Sequence, residues 1–398
     1  MSTTDGVVGR IEEATAWQEE PYTHLHRNPE LSMQETQTAA EVTRRLESFG
    51  YRVQQVGGGV VGVLENGPGP TVLFRADIDA LPVEEATDLP YRSEVPGVMH
   101  ACGHDLHIAA GLGAAAVLAE STDAWGGTYV ALFQPGEETA QGAQAMVDDG
   151  LADRIPRPDV ALAQHVLTAP AAGEVATAPG PVLSTAASVR ATVHGKGSHG
   201  SMPHLGVDPV VLAAAVVQRL QGIVAREVSP DVFAVVTVGS LQAGTKANII
   251  PDSAELLINV RAYDADVRES LLTAIERIVR AECVASDAPR PPDIDVFDRY
   301  PLTSNDPDAA ATVTAAFVDH FGADRVRELA PITASEDFSV IPDALGVPYC
   351  YWGIGGFTAD QQPVPNHNPR FAPAMQPTLR TGTEAAVTAA LAYLGKAR

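Results

Sequence analysis

The sequence predicts an α/β domain with a mostly parallel sheet flanked by helices, interrupted by a smaller α+β domain. Three observations predict it. Short apolar runs alternate with helical stretches early in the chain, the order that builds parallel sheets. Near Ser184 the order changes to β-α-β-β-α, with apolar and polar residues alternating along the strands, which suits a sheet with one solvent-facing side. The chain of 398 residues also exceeds the roughly 250–300 at which one core tends to split.

Ile11–Glu20 is charged, free of Gly and Pro, and reads as an opening helix. Ser32–Phe49 reads as a second helix, with Ser32 as its cap and Glu35 at the capping-box spacing. Thr71–Arg75 follows as a strand, Asp105–Glu120 as an Ala-rich helix, and Thr128–Phe133 and Val160–Ala163 as further strands. Beyond Ser184, Ser188–His194, Phe233–Leu241 and Ala254–Ala262 read as strands, and Pro209–Arg226 and Val267–Cys283 as helices. A last strand is expected near Ile294–Phe297, and the turn-rich Pro289–Pro292 and Thr303–Asp308 mark the return to the first domain. The expected domains are therefore 1–183 with 298–398, and an insertion over 184–297.

A net charge of -24, from 50 acidic against 26 basic side chains, argues against a nucleic-acid partner, whose phosphates demand basic patches. Three scattered cysteines are too few for a disulfide framework and fit a reducing cytosol. Met1–Glu20 lacks the apolar run of an export signal. The apolar stretches Ala109–Ala119 and Val210–Val217 fall short of the ~20 residues that span a bilayer. A cytoplasmic protein without a membrane partner is expected.

Polar clusters recur at the ends of the predicted strands. They are Arg75-Ala-Asp77-Ile-Asp79, His100-Ala-Cys102-Gly-His104-Asp105-Leu-His107, Gln134-Pro-Gly-Glu137-Glu138, Gln164-His165 and Asn366-His367-Asn368-Pro369. In open α/β sheets ligands bind beyond the carboxyl ends of strands, so the clusters are expected to converge. Thiolate, imidazole and carboxylate are the donors a borderline metal ion takes. Cys102 and His104, with Gly103 between them, can reach one ion. Of the adjacent Glu137 and Glu138, one can ligate metal while the other acts as general base on a metal-activated water. Asp77 and Asp79 suit holding a ligating His in one tautomer. Taken singly, each residue has a plainer reading: Cys102 as a small buried hydrophobe, Asp105 as a helix cap, His100 and His107 as packed or supporting groups. Their coincidence at strand ends favours the metal site.

Together with His26-Arg-Asn-Pro-Glu-Leu-Ser32 and Ala334-Ser-Glu-Asp-Phe338, these motifs resemble the amidohydrolase branch of the M20 metallopeptidase family, over roughly Pro21 to Leu391. That branch includes hippurate, auxin-conjugate and N-acyl-amino-acid hydrolases. The resemblance implies a two-metal catalytic domain with an inserted dimerisation (lid) domain. It implies Cys102, His104, Glu138, His165 and His367 as ligands of two divalent ions (Mn, Zn, Co or Ni), with Cys102 bridging them. Glu137 would be the general base. Other branches carry a His where Asp77 stands, so Asp77 is not expected to ligate directly. The family often has Ser where Asn368 follows His367, a departure expected to alter local hydrogen bonding more than ligation.

In the insertion, Gly195-Lys-Gly-Ser-His199-Gly is a glycine-flanked turn presenting an imidazole. The resemblance implies that His199 stabilises the oxyanion of the neighbouring subunit's site, and that Asn248 and Arg261 bind substrate polar groups or carboxylate. The implied activity is hydrolysis of acetyl-, benzoyl- or indoleacetyl-amino acids by a homodimer. Rival readings are a dipeptidase or carbamoyl-amino-acid hydrolase of the same superfamily, or a binding protein on the same fold, which would not need Glu137. The absence of a Pro-Cys-x-x-Cys motif excludes a zinc nucleobase deaminase.

Overall fold

Eight strands form the large sheet of the computed structural model, which describes residues 3–396; the chain's first two and last two residues lie outside it. Their order is Arg52–Val56, Gly59–Asn66, Gly127–Gln134, Thr71–Asp77, Val160–Ala171, Tyr349–Phe357, Val175–Thr177 and Val326–Glu328. The middle four are mutually parallel, and the strand adjoining them on each side runs antiparallel to them. Val72, Leu73 and Phe74 are buried in succession, as a parallel strand covered on both faces requires.

Helices cover this sheet. His104–Glu120 is buried continuously from His104 to Leu118, the mark of a core helix that is apolar all round. Its neighbours approach closely: a Cβ at Gly113 would stand 1.9 Å from Gln18 Nε2. That amide donates to Ala109 O (2.8 Å) and Thr383 Oγ1 (2.7 Å), tying the opening helix Thr3–Arg27 and the closing helix Met375–Leu394 to the central one.

The second helix corrects the expected capping box. It runs Thr36–Ser48 and has no side-chain cap at Glu35. Glu30 caps it instead, accepting from Gln37 N (2.9 Å) and Thr38 N (2.9 Å). Ser32 and Glu35 are drawn elsewhere: Ser32 Oγ donates to Asp79 Oδ2 (2.7 Å), and Glu35 Oε1 accepts from Gly136 N (2.8 Å). Tertiary partners outcompete the local motif.

The described residues divide into two units, one from residues up to Val182, Thr303–Pro331 and those from Asp337, the other from Leu183–Leu302 with Ile332–Glu336. The short 332–336 segment joins the second unit because Ser184 N donates to Ala334 O (2.8 Å) and Ser184 Oγ to Thr333 O (2.9 Å). The second unit holds a four-stranded antiparallel sheet, ordered Ala234–Ala243, Ser253–Ala262, Thr185–His194, Asp293–Tyr300. Ala254, Leu256, Ile258 and Val260 alternate inward against helices Pro209–Leu220 and Ala265–Ala285. The helical stretch Pro209–Glu227, at mean hydropathy 1.2, is long and apolar enough by composition to cross a membrane, where none was expected. Leu212, Ala213, Val216 and Leu220 bury its apolar side in this unit's core.

Replacing the capping carboxylate tests the revised cap. Glu30→Ala should cost about 1 kcal/mol of stability, the usual worth of an N-cap, read as a lower urea midpoint at unchanged slope. An unchanged midpoint would make the Glu30 hydrogen bonds idle.

Candidate metal centre

Four adjacent parallel strands deliver the site residues. Asp79 follows Thr71–Asp77; the turn Glu137–Thr139 follows Gly127–Gln134; His165 lies on Val160–Ala171; His367 is on the loop after Tyr349–Phe357. Cys102 and His104 enter from the turn opening the buried helix. Gly103 there has φ +87, and a Cβ would stand 2.4 Å from Val166 Cγ1, so the turn demands glycine. His165 does not close its strand as expected, since the strand continues to Ala171 beside Tyr349–Phe357. Pairing with Thr71–Asp77 stops at Arg75–Ala163, and past that point the strand borders the site.

All five sequence-predicted ligands meet here. Donor atoms of Cys102, Glu138 and His367 lie within 4.8 Å of one another, as do those of His104, Glu137 and Glu138. Glu138 belongs to both groups. Cys102 Sγ is 3.4 Å from His165 Nε2, and Glu138 Oε1 is 3.3 Å from His367 Nε2. His104 Nε2 and Glu138 Oε1 are buried without a hydrogen-bond partner. Buried polar atoms are rarely left so, and divalent cations are the groups that such a thiol, imidazole and carboxylate set fits.

The hydrogen bonds set which imidazole nitrogens are available. His104 Nδ1 donates to Asp79 O (2.9 Å) and Oδ1 (3.1 Å), leaving Nε2 free to ligate. His165 Nδ1 donates to Val166 O (2.8 Å), turning Nε2 toward Cys102. Asp77 and His107 also lie within 4.8 Å of His104 and His165 donor atoms. They are occupied otherwise: Asp77 takes Arg75 Nη1 (2.7 Å) and His107 Nδ1 (2.6 Å), and His107 Nε2 accepts from Val166 N (2.9 Å). His367 has φ 67, a left-handed backbone held by its N–H to Ala101 O at 2.8 Å.

Charge follows this wiring. Burial depresses His104, but the Asp77 charge, the Asp79 hydrogen bond and the nearby Cys102 thiol outweigh it and raise the imidazole well above its ordinary range. The adjacent Cys102 thiol and Glu138 carboxylate raise His367 to about 10. Burial is the main cause that holds His165 well below its usual value. Asp79 stays low despite burial, through its bonds from His104, Ser32 and Glu138 N. Asp105 is not a cap. It accepts from His26 Nδ1 at 2.6 Å, and this ion pair with Glu85 overcomes burial to raise His26 to about 9.

Within the second unit, His199 pairs with Ile249 across a two-stranded sheet, and Gly200 N donates to Asn248 O (2.8 Å), so these two candidates adjoin. His199 is exposed and hydrogen-bonds Ser201 Oγ (2.7 Å). Arg261 lies on the other sheet, donating to Thr333 O (2.6 Å), Ser335 Oγ (3.1 Å) and Asn259 Oδ1 (3.2 Å). Sequence reasoning placed Asn366 in a cluster but gave it no role; its Nδ2 donates to Cys102 O (3.3 Å) and approaches Cys102 Sγ (3.6 Å), and the bracing by Ser32 and Glu35 was likewise missed. Neither role has a local signal, because every partner is distant in the chain.

A parallel sheet whose strand ends gather soft and hard donors beside a further carboxylate, Glu137, is built for activating water, and this chain is a metal-dependent hydrolase. Residues 73–392 match the model of peptidase family M20/M25/M40, and the chain belongs to that family. It is 34% identical to thermostable carboxypeptidase 2 of Saccharolobus solfataricus, over 93% of this chain and 94% of the relative. With hippurate hydrolase of Campylobacter jejuni it shares 37% identity, over 79% and 82% of the two chains. A solved structure of a dinuclear metal binding peptidase of the M20 family from Bacillus subtilis superposes at TM-score 0.78 with 26% identity, covering 96% of this chain and 99% of that one.

Metal uptake should release protons, because His104 and His367 are held protonated until a cation replaces the proton. Calorimetric titration of metal-free protein at pH 7, in buffers of different ionisation enthalpy, should give heats that depend on the buffer. Affinity should rise with pH toward about 10, the value that His367 reaches. Buffer-independent heats would show that both imidazoles enter already neutral.

Proposed function

We propose that the protein hydrolyses the amide bond of N-acyl amino acids, giving a carboxylic acid and an amino acid. The site would hold two divalent ions on Cys102, His104, Glu138, His165 and His367, with Cys102 between the ions. The observation that carries this reading is Glu137. It is 6% exposed, directly beside Glu138, and within 4.8 Å of a His104 nitrogen, a carboxylate beyond what ligation needs. The hippurate hydrolase relative supports the acyl-amino-acid substrate class. The carboxypeptidase relative supports a second reading, peptide cleavage from the carboxyl end, by the same chemistry.

Bound divalent ions would supply Lewis acidity, making water acidic and the acyl carbonyl electrophilic. Glu137 takes the proton from the attacking water and later returns it to the leaving nitrogen. Asp79 holds His104 in one tautomer and, through its 3.0 Å bond from Glu138 N, keeps the Glu137–Glu138 turn in place. Arg261 is the proposed partner of the substrate carboxylate, since the groups it bonds, Thr333, Ser335 and Asn259, are all uncharged. Asn248 would bind substrate polar groups. Which of Mn, Zn, Co or Ni is native depends on availability as much as on this donor set. The three free thiols fit a cytoplasmic setting.

Assembly as a homodimer is part of the proposal, with His199 stabilising the oxyanion in its partner's site. The support is its exposed position on a glycine turn, its imidazole hydrogen-bonded only to Ser201 among the described residues. Closed two-fold pairing is the commonest oligomeric arrangement.

Glu137→Gln should keep metal content while lowering kcat by ~10²–10⁴-fold, assayed on acetyl-, benzoyl- and indoleacetyl-amino acids and on peptides with each metal. Near wild-type kcat would remove Glu137 as the base, and turnover of peptides alone would select the carboxypeptidase reading. Mixing inactive Glu137→Gln and His199→Ala subunits tests the dimer, since exchange makes one intact site per heterodimer. Activity should partly return. A monomer by light scattering, or no recovery after proven exchange, would end the role in trans.

A further inference from the structure

We infer that His107 is a positioning residue that sets the ligand geometry of His165 by fixing the Val166 peptide, and that it holds no ion itself. The inference rests on the reading of His165 as a ligand. Beyond the Arg75–Ala163 pairing, the strand Val160–Ala171 has lost its Thr71–Asp77 neighbour. A buried peptide in that position must find other partners. Val166 finds them in side chains. Its N–H donates to His107 Nε2 at 2.9 Å, and its carbonyl accepts from His165 Nδ1 at 2.8 Å and more distantly from Asn366 Nδ2 at 3.5 Å.

The bond from His165 to that carbonyl decides the His165 tautomer, so the Val166 peptide decides where the Nε2 lone pair points. It points toward Cys102 Sγ, 3.4 Å away. The peptide in turn is only as well placed as His107. Because Nε2 of His107 accepts a backbone N–H, its proton is on Nδ1, which donates to Asp77 Oδ1 at 2.6 Å. The other Asp77 oxygen receives Arg75 Nη1 at 2.7 Å, and Arg75 Nε donates to Gln134 Oε1 at 2.9 Å. Asp337 closes the frame, taking Gln134 Nε2 at 2.6 Å. Arg75, Asp77 and His107 are at most 1% exposed. The His107 ring also lies 4.5 Å, edge to face, from the His165 ring. A rigid buried chain thus runs from Arg75 through Asp77, His107 and one peptide group to the ligand.

Neither nitrogen of His107 is available to a cation, although both it and Asp77 are of ligand type and adjacent to ligands. Outer groups of this kind typically change metal affinity by roughly 10–100-fold when removed. The test uses metal-free full-length protein titrated with Co²⁺. Affinity is read by chelator competition, and geometry by the visible ligand-field and thiolate charge-transfer bands. His107→Leu, which leaves Val166 N–H without a partner, should weaken binding by about 10–100-fold and shift the bands. His107→Gln, whose carboxamide oxygen reaches as far as Nε2, should restore much of both. His107→Asn keeps the Asp77 bond but stops short of Val166, so it should resemble His107→Leu and replaces it if that variant does not fold. His165→Ala is the reference for losing the ligand altogether. If His165→Ala alters affinity and bands while a folded His107→Leu or His107→Asn matches wild type, the inference about His107 is overturned alone. If His165→Ala itself matches wild type, the ligand reading beneath it falls, and the inference with it.

Discussion

The carboxylate of Asp79 is the joint on which the site depends. It accepts from Ser32 Oγ (2.7 Å), from Glu138 N (3.0 Å) and from His104 Nδ1 (3.1 Å), groups from three separate stretches of chain. At 1% exposure, this charge would be costly to bury unless it were so bonded. The same bonds leave His104 with a single free nitrogen and keep the Glu137–Glu138 turn against the strand ends. Glu35 braces that turn from outside by accepting from Gly136 N, which explains why Glu35 is unavailable to cap its own helix.

Around this joint the protein keeps donor atoms and supporting atoms apart. His104, His165 and His107 are close neighbours, yet hydrogen bonding leaves Nε2 of the first without a partner, sets that of the second against Cys102 Sγ, and engages both nitrogens of the third. Charge is divided similarly. Asp77 is neutralised by Arg75 behind the site, while Glu137 and Glu138 face His104 from 3.9 Å, with no other cation among the described side chains of the two donor groups save His367. An excess of carboxylate and thiol in one cluster is unstable without protons or metal ions, and it is His104 and His367, not His165, whose protonation is favoured there.

Much of this was legible in the sequence. Alternation of strands and helices identified the parallel sheet, and the Cys102-Gly-His104, Glu137-Glu138 and Asn366-His367 boxes picked out side chains whose donor atoms the fold brings within 4.8 Å of one another, because consecutive residues on a tight turn carry their own spacing. The Ser32/Glu35 capping box misled, for a definite reason: a capping motif describes what side chains can do locally, and both found longer-range partners. The plainer reading of Asp105 as a cap fails for the same reason, since its carboxylate pairs with the distant His26.

By itself, then, the sequence determined the donor types, the glycine turn at Gly103, the sheet class and the change of pattern near Ser184. All of these follow from local spacing and periodicity. Only the tertiary structure decided which nitrogen of each imidazole is free, that Glu30 rather than Ser32 caps the second helix, and that the 332–336 segment joins the second unit. It also decided which partners occupy His107 and Asp77. Those outcomes rest on hydrogen bonds between residues far apart in the chain, and a buried polar group takes whichever partner the fold brings within 3 Å or so, whatever its neighbours in sequence would have allowed.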